Sequence, residues 1–161
     1  DGYLYITGRK KEIIVTSGGK NIAPILIEEE LKQISAISQA VMIGDNRNYC
    51  TALLTLDAGY LLKNKMGVDI TGIKPTELVA VMDQHGKKIE DFANDSSIIE
   101  EVQTGVDEVN SKFARVENIR KFSLLARDFT MADDELTPTF KIKRSKVYRN
   151  WSDSIENMYS D

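Results

Sequence analysis

The sequence predicts an α+β fold, in which a small, mainly antiparallel sheet is covered by packed helices together with an extra helical segment. Two short apolar runs, at residues 40–44 and 51–56, have the length of strands and flank the polar turn DNRN, which favours an antiparallel hairpin. Apolar residues farther along the chain recur at spacings of three and four, the period of one helical face. That face consists of Ile98, Val102, Val106, Val109 and Phe113.

The part of the chain before this hairpin predicts two short strands and a helix. Residues 3–7 alternate and are rich in β-forming side chains, and the run EIIVT at residues 12–16 follows a charged turn. Residues 17–21 predict a loop, because the paired glycines supply backbone conformations that other residues avoid. Pro24 suits the first turn of the helix that follows. Its apolar face would consist of Ile27, Leu31 and Ile34.

The part after the hairpin predicts more helices. Residues 58–66 and 76–85 have helical patterns, and Gly67 and Gly86 stand where helices commonly end. The sequence SIIE at residues 97–100 is typical of a capping box, which would begin the helix that carries the apolar stripe.

The end of the chain predicts a final strand and a final helix. Residues 119–125 form the strand, and the helix would begin near Lys143. One side of that helix would present Tyr148, Trp151, Ile155 and Tyr159.

Composition excludes several classes of protein. No apolar run approaches the roughly 20 residues that a membrane-spanning helix needs. A single cysteine, Cys50, excludes an internal disulfide and favours a reducing, cytoplasmic location. The net charge of −4 argues against a general nucleic-acid binder, and no Cys/His cluster suggests a metal site. Basic residues nevertheless crowd residues 9–20 and 141–149, either around a shared anion or as two separate solvated faces.

Two motifs carry a resemblance to a known family. The opening DGYLYITGRKKEIIVTSGGKNIAP, together with ELTPTFKIKRSKV at residues 135–147, resembles the C-terminal domain of acyl-CoA synthetases, members of the adenylate-forming (AMP-binding) superfamily. The resemblance implies activation of a carboxylate with ATP, giving an acyl-adenylate and pyrophosphate, and then acyl transfer to coenzyme A. It also implies that residues 1–161 are a mobile lid, with a hinge at about residues 8–12, that closes over a large ATP- and acyl-binding N-terminal domain absent from this sequence.

The resemblance assigns roles to individual residues. Lys141 falls at the catalytic lysine of adenylation, where a cation offsets the repulsion between the carboxylate and the α-phosphate. Arg9 matches a nucleotide-binding residue, and Lys11 matches the hinge position. Gly18 and Gly19 match a loop that lines the coenzyme A channel, where glycine lets the backbone approach a ligand closely. Mg²⁺ would accompany ATP in the intact enzyme and is not expected to be bound by this domain.

The form of the second motif and the long segment at residues 58–94 resemble the long-chain fatty-acyl subgroup. TPTFKIKR replaces the commoner Lys-Thr-x-x-Gly-Lys pattern. We therefore expect the lid of a long-chain fatty-acid–CoA ligase that is inactive without its N-terminal domain and is cytoplasmic or peripherally membrane-associated. The alternatives are the lid of an acyl-adenylating ligase that feeds a carrier protein, a non-enzymatic anion-binding module, and a structural interaction domain.

Overall fold

The computed structural model describes residues 13–160, and its first element is a short antiparallel hairpin. Strands β1 (Ile14–Val15) and β2 (Asn21–Ile22) form this hairpin. The centre of the strand predicted at residues 12–16 is thus confirmed, and the loop predicted after it ends one residue earlier because Asn21 pairs with β1. The strand predicted at residues 3–7 lies outside the described residues.

The central sheet has three strands in the order β3 (Ile37–Ile43), β4 (Cys50–Leu56) and β5 (Ile119–Leu124). Strands β3 and β4 are antiparallel, which confirms the predicted hairpin. Strands β4 and β5 are parallel, so this sheet is mixed. Parallel neighbours need a long crossover, and the helices between β4 and β5 provide it.

Both faces of this sheet are buried. Successive side chains of a strand point to opposite faces, so β3 and β4 divide their apolar residues between two cores. The first core contains, from these strands, Ile37, Ala40, Met42, Cys50, Ala52, Leu54 and Leu56. The second core contains, from the same strands, Val41, Ile43 and Leu53. A sheet that is covered on both faces explains the continuous apolar run AVMI at residues 40–43.

Helices from the first two thirds of the chain cover the first core. They are α1 (Pro24–Leu31), α2 (Ala58–Tyr60) with its π-helical continuation Leu61–Lys65, α3 (Leu78–Gln84), α4 (Ile89–Ala93) and α5 (Ser96–Asn110). Short 3₁₀ turns precede α3 and β5 at Pro75–Glu77 and Arg115–Glu117. The predicted helices, including the extra helical segment, are therefore present, and the α+β class is confirmed.

Helix α5 carries the predicted apolar stripe but begins at a different cap. Four stripe residues are buried inside the helix, and Phe113 packs partly buried beyond its end. The capping-box prediction at residues 97–100 is wrong, because Asp95 is the N-cap and its carboxylate accepts the Ser97 N–H at 2.8 Å. A carboxylate is a strong N-cap, and its negative charge also interacts favourably with the positive end of the helix dipole.

Two helices at the end of the chain cover the second core. Helices α6 (Arg144–Asn150) and α7 (Ser152–Tyr159) replace the single helix predicted there. The chain bends between them at Trp151, with φ −114° and ψ 25°. The bend leaves the Trp151 indole N–H donating to Glu135 at 2.9 Å. The motif at residues 135–147 therefore lies in the layer that covers the second core.

Candidate functional site

Lys141 lies at the end of a tight turn formed by residues 137–141. The Thr137 N–H donates to the Lys141 carbonyl at 2.8 Å, and the Phe140 N–H donates to the Thr137 carbonyl at 2.8 Å. The Thr137 hydroxyl accepts the Lys141 N–H at 3.0 Å and lies 3.0 Å from the Thr139 hydroxyl. The residues on either side of the turn form an antiparallel bridge. The turn is thus closed by its own hydrogen bonds and presents Lys141 at the surface.

The side chain of Lys141 lacks a carboxylate partner, unlike those of Lys143, Arg144 and Lys146. Lys141 is exposed, and no carboxylate within residues 13–160 forms an ion pair with it. Lys143 and Lys146 both form ion pairs with Asp134, the second at 3.5 Å, and Arg144 is paired as well. Three of the five basic residues at 141–149 are therefore paired inside the domain, while Lys141 and Arg149 form no ion pair within residues 13–160, and the ammonium group of Lys141 stays available to an external anion.

Arg144 fixes the first turn of α6 to the other side of the sheet. Its guanidinium donates to both carboxylate oxygens of Glu28 in α1, at 2.6 and 3.0 Å. Glu28 also accepts the Met42 N–H at 2.6 Å, and the Tyr148 hydroxyl donates to the Met42 carbonyl at 3.1 Å. Burial favours the neutral form of Arg144, but the hydrogen bonds and charge of Glu28 outweigh it and raise the pKa of Arg144. The helix that follows Lys141 is thus anchored to α1 and to β3.

Glu135 holds the base of the Lys141 turn from inside the domain. Its fully buried carboxylate accepts two hydrogen bonds from Arg127, at 2.8 and 3.0 Å. It also accepts the Thr130 N–H at 3.1 Å, the Asn150 amide at 3.0 Å and the Trp151 indole at 2.9 Å. Burial alone would raise the pKa of Glu135, but these hydrogen bonds and the Arg127 charge outweigh it and lower that pKa. Glu135 is therefore a buried anion at the centre of a network of donors.

The backbone of Glu135 connects this network to the motif. Its carbonyl accepts the Lys143 N–H at 2.8 Å. This bond lies next to the antiparallel bridge between Leu136 and Ile142, which closes the turn. The two ends of the turn that carries Lys141 are therefore held in place, one by the Glu135–Arg127 ion pair and the other by the start of α6.

Gly18 and Gly19 occupy the tip of the β1–β2 hairpin. The Gly19 N–H donates to the Thr16 carbonyl at 2.9 Å, and its φ of +84° is one that glycine adopts without strain. A Cβ atom built at Gly19 meets nothing within 4 Å, and one built at Gly18 lies 4.0 Å from Thr16 Oγ1. The turn conformation thus accounts for Gly19 by itself, and the predicted coenzyme A channel would need a wall from outside the described residues.

The two predicted sites lie on neighbouring elements. A shallow groove of about 300 Å³ runs between the hairpin and α6, lined by Ile14 on one side and by Arg144 and Tyr148 on the other. Lys141, Gly18 and Gly19 do not line this groove, and within residues 13–160 no hydrogen bond joins Lys141 to either glycine. Arg9 and Lys11, the predicted nucleotide-binding and hinge residues, lie outside the described residues.

Sequence reasoning did not find the buried partners of the site. Glu135 stands in the motif, but an acidic residue before the apolar Leu136 is a weak signal of burial. Arg144 belongs to the predicted basic stretch, and its partner Glu28 stands 116 residues away. No local pattern connects residues that far apart. The contacts of Glu135 and of Arg144 with their partners therefore become visible only in the folded chain.

The described residues contain neither a cluster of metal ligands nor a membrane-spanning helix. In the part of the chain that the structure describes, no three His, Cys, Asp or Glu side chains are grouped so that they could hold a metal ion. Over the same residues, every helix is too short or too polar to cross a membrane.

Comparison with a protein family gives a match along almost the whole chain. The family described as AMP-binding enzyme C-terminal domain matches residues 11–69 and 66–161. The long-chain-fatty-acid–CoA ligase FadD15 of Mycobacterium tuberculosis is 39% identical over 99% of this chain. The ligase ACSBG1 of Rattus norvegicus is 34% identical over the full chain. The chain spans 24% and 23% of these two relatives, so it corresponds to about a quarter of each.

Solved structures share the fold at lower sequence identity. The A-PCP didomain of carboxylic acid reductase from Segniliparus rugosus, in complex with AMP, matches with a TM-score of 0.65 and 16% identity. That match covers 93% of this chain and 17% of the didomain chain. The adenylation domain of a carboxylate reductase from Mycobacterium chelonae also gives a TM-score of 0.65, at 17% identity, over 95% of this chain and 20% of its own. These likenesses establish the fold.

Proposed function

Because this chain belongs to the AMP-binding enzyme C-terminal domain family, we propose that it is the mobile catalytic lid of an ATP-dependent long-chain fatty-acid–CoA ligase. The ligase joins a fatty acid to ATP, forming an acyl-adenylate and releasing pyrophosphate. It then transfers the acyl group to the thiol of coenzyme A. The observation that carries this proposal is the exposed Lys141, held on a hydrogen-bonded turn without a carboxylate partner, while Lys143, Arg144 and Lys146 are paired.

Lys141 supplies the positive charge that adenylation requires. The attacking carboxylate and the α-phosphate are both anionic, and negative charge grows on the phosphate and on pyrophosphate as the new bond forms. An ammonium group between them offsets this repulsion and holds the two reactants in line. The turn at residues 137–141 carries the lysine to the reactants as a preformed unit, so little ordering of the backbone is needed at that moment.

The second half-reaction uses another face of the lid. We assign Lys11 to the hinge, Arg9 to the nucleotide, and Gly18 and Gly19 to the channel of the pantetheine arm. Rotation about a few backbone torsions at residues 8–12 would exchange the two faces. The exposed hairpin tip supports the assignment of the glycines, because a surface turn with no side chain leaves room for a ligand beside the backbone.

The remaining partners follow from the reaction. The lid works with a large N-terminal domain that holds ATP and the acyl chain, and the relatives' greater length supports such a partner. Mg²⁺ would enter the intact enzyme with ATP, and this domain is not expected to bind it. The proposed location is cytoplasmic, with peripheral membrane contact through the other domain, and nucleic acid is not among the partners.

Two rival functions are less well supported. A freestanding anion-binding module would need the basic segment free, yet Lys143 and Lys146 are paired with Asp134 and Arg144 with Glu28. A lid that delivers acyl-adenylate to a carrier protein would share the fold and Lys141. Dependence of the full-length enzyme on coenzyme A separates that function from the ligase, since a carrier-protein enzyme would release no acyl-CoA.

The proposal is tested with Lys141→Ala in the full-length ligase that carries this sequence. Acyl-adenylate formation from ATP and a long-chain fatty acid is measured separately from thioester formation out of preformed acyl-adenylate. We expect adenylation to fall by about 10²- to 10³-fold, as for the loss of other groups that stabilise transition-state charge, while thioester formation is retained.

A matched control is Lys63→Ala, which removes another exposed lysine, on the π-helical turn after α2. It should leave both half-reactions unchanged. Normal adenylation in Lys141→Ala would make this lysine an ordinary surface charge and would remove the basis of the proposal.

A further inference from the structure

Phe140, directly before Lys141, combines two unusual properties. Its side chain is 64% exposed, although phenylalanine is one of the most apolar residues. Its backbone φ is +65°, in the left-handed region that a bulky residue seldom adopts. Among the described residues, the other non-glycine positions with positive φ are Asn46 and Asp134, two residue types that tolerate this conformation.

Within the described residues, little of the Phe140 ring is covered by its own domain. Among the described residues, its ring belongs to neither of the two cores. The turn is closed by backbone groups and by the Thr137 hydroxyl, so the ring has no part in holding it. Glycine would supply the same backbone without strain and without exposing an aromatic ring to water. Strained residues that persist without local benefit are concentrated at functional sites.

The position of Phe140 in the chain limits where its ring can find a partner. Adjacent Cα atoms are about 3.8 Å apart, and both side chains are exposed on the same turn, so a surface that closes over Lys141 lies near the ring. The rigid turn keeps the two side chains moving together. A surface that covers this turn when the ammonium group reaches the reacting carboxylate therefore lies within reach of the exposed ring as well.

We propose that Phe140 is a positioning residue for Lys141, whose ring packs into an apolar depression of the nucleotide-bearing domain when the lid closes for adenylation. This inference rests on the proposed function of the lid. The ring contact forms only in the closed pose and so stabilises that pose against the open one. It fixes the approach of Lys141 without touching the reacting atoms.

Three substitutions in the full-length ligase separate the ring from the turn. Phe140→Gly removes the ring and the strain, Phe140→Asn keeps a residue suited to positive φ but makes it polar, and Phe140→Leu keeps an apolar side chain. We expect kcat for adenylation to fall by about tenfold to a hundredfold in the first two variants, the factor that corresponds to burying one aromatic side chain. Phe140→Leu should recover much of the loss.

Several readouts distinguish this role from a merely structural one. The KM values for ATP and fatty acid and the rate of thioester formation from preformed acyl-adenylate should stay unchanged, and the thermal midpoint of Phe140→Gly should be equal or higher. Val79→Ala, which shortens another exposed apolar side chain on α3, should change neither half-reaction.

Other patterns would overturn the inference. Full adenylation activity in Phe140→Gly would leave the ring without a role, and if Lys141→Ala were still inactive in adenylation, the proposed function would stand alone. Loss in Phe140→Gly with full activity in Phe140→Asn would show that turn stiffness matters instead of the ring. Equal loss in both half-reactions, or a loss that grows with acyl chain length, would place the ring elsewhere.

Discussion

Replacing Glu135 with glutamine preserves the shape of the side chain but removes the negative charge to which five hydrogen bonds are donated. Oε1 accepts from Arg127 and from the Thr130 N–H, while Oε2 accepts from Arg127, Asn150 and Trp151. An amide nitrogen in place of either oxygen turns at least two of these five hydrogen bonds into contacts between donors. The substitution therefore tests whether the buried anion stabilises the base of the turn.

The size of the effect can be worked from these contacts. Arg127 is 39% exposed in its side chain and can turn toward water. A half-buried donor, the Thr130 N–H or the Trp151 indole, then remains without an acceptor, at a cost of about 1–3 kcal/mol. Hydrogen bonds to a charged group contribute roughly 1.5–3 kcal/mol, and part of that is also lost. We expect Glu135→Gln to lower the free energy of unfolding by about 2–4 kcal/mol.

Urea unfolding of the 161-residue chain, followed by tryptophan fluorescence, measures this change because Trp151 lies in the network. With an m-value of about 2 kcal/mol/M, the midpoint should fall by about 1–2 M. Asp134→Asn is the control, since it neutralises an exposed carboxylate next in sequence and should shift the midpoint little. A fall of less than about 0.5 M in Glu135→Gln would refute the reasoning.

The pH dependence gives a second check on Glu135. Its pKa is lower in the folded chain than in the unfolded chain, so the unfolded chain binds more protons as the pH falls through the carboxylate range. The stabilisation by Glu135 is thus complete at neutral pH and is lost progressively below about pH 5. The difference in stability between wild type and Glu135→Gln should shrink over that interval, and a constant difference would contradict this account.

Two further predictions concern the hairpin and the cysteine. Gly19→Ala should destabilise the chain by about 1 kcal/mol in urea unfolding, because its φ is +84°. A Cβ atom there meets no neighbour, so no steric clash adds to this cost. In the full-length ligase the substitution should slow thioester formation more than adenylation, and an equal effect on both half-reactions would remove the channel assignment. Cys50 is buried, and burial raises the pKa of its thiol to about 11, so a thiol reagent at pH 8 should modify it slowly in the folded chain and quickly in urea. Fast modification of the folded chain would contradict the described packing.

The elements that were predicted correctly are those whose signal is local. Strands β3 and β4 follow from two apolar runs around a polar turn, and α5 follows from a stripe with helical spacing. The start of α5 was misjudged because Asp95 and Ser97 are both good caps, and the choice between them depends on how the chain enters the helix. The parallel pairing of β5 with β4 could not be predicted, because a strand-like residue pattern does not show which strand it pairs with or in which direction.

In the candidate site, too, the residues of a continuous motif can be identified from sequence, whereas the contacts between distant residues cannot. Lys141 could be singled out because its motif is continuous in sequence, and its catalytic role stays a prediction. The contacts of Glu28 with Arg144 and of Glu135 with Trp151 join residues that are distant in sequence or lie on separate elements. Such pairs are decided by tertiary packing, which residue patterns in one sequence do not reveal.

The contacts of Met42 also affect how the folded chain behaves at high concentration. Among the described strands, β3 lies at the edge of its sheet, and edge strands offer unpaired backbone groups that recruit strands from other molecules. At Met42 the N–H is taken by Glu28 and the carbonyl by Tyr148. A strand from a second molecule thus finds neither donor nor acceptor at this point of the edge. The side chains that anchor α6 therefore also block strand addition at this point of the edge.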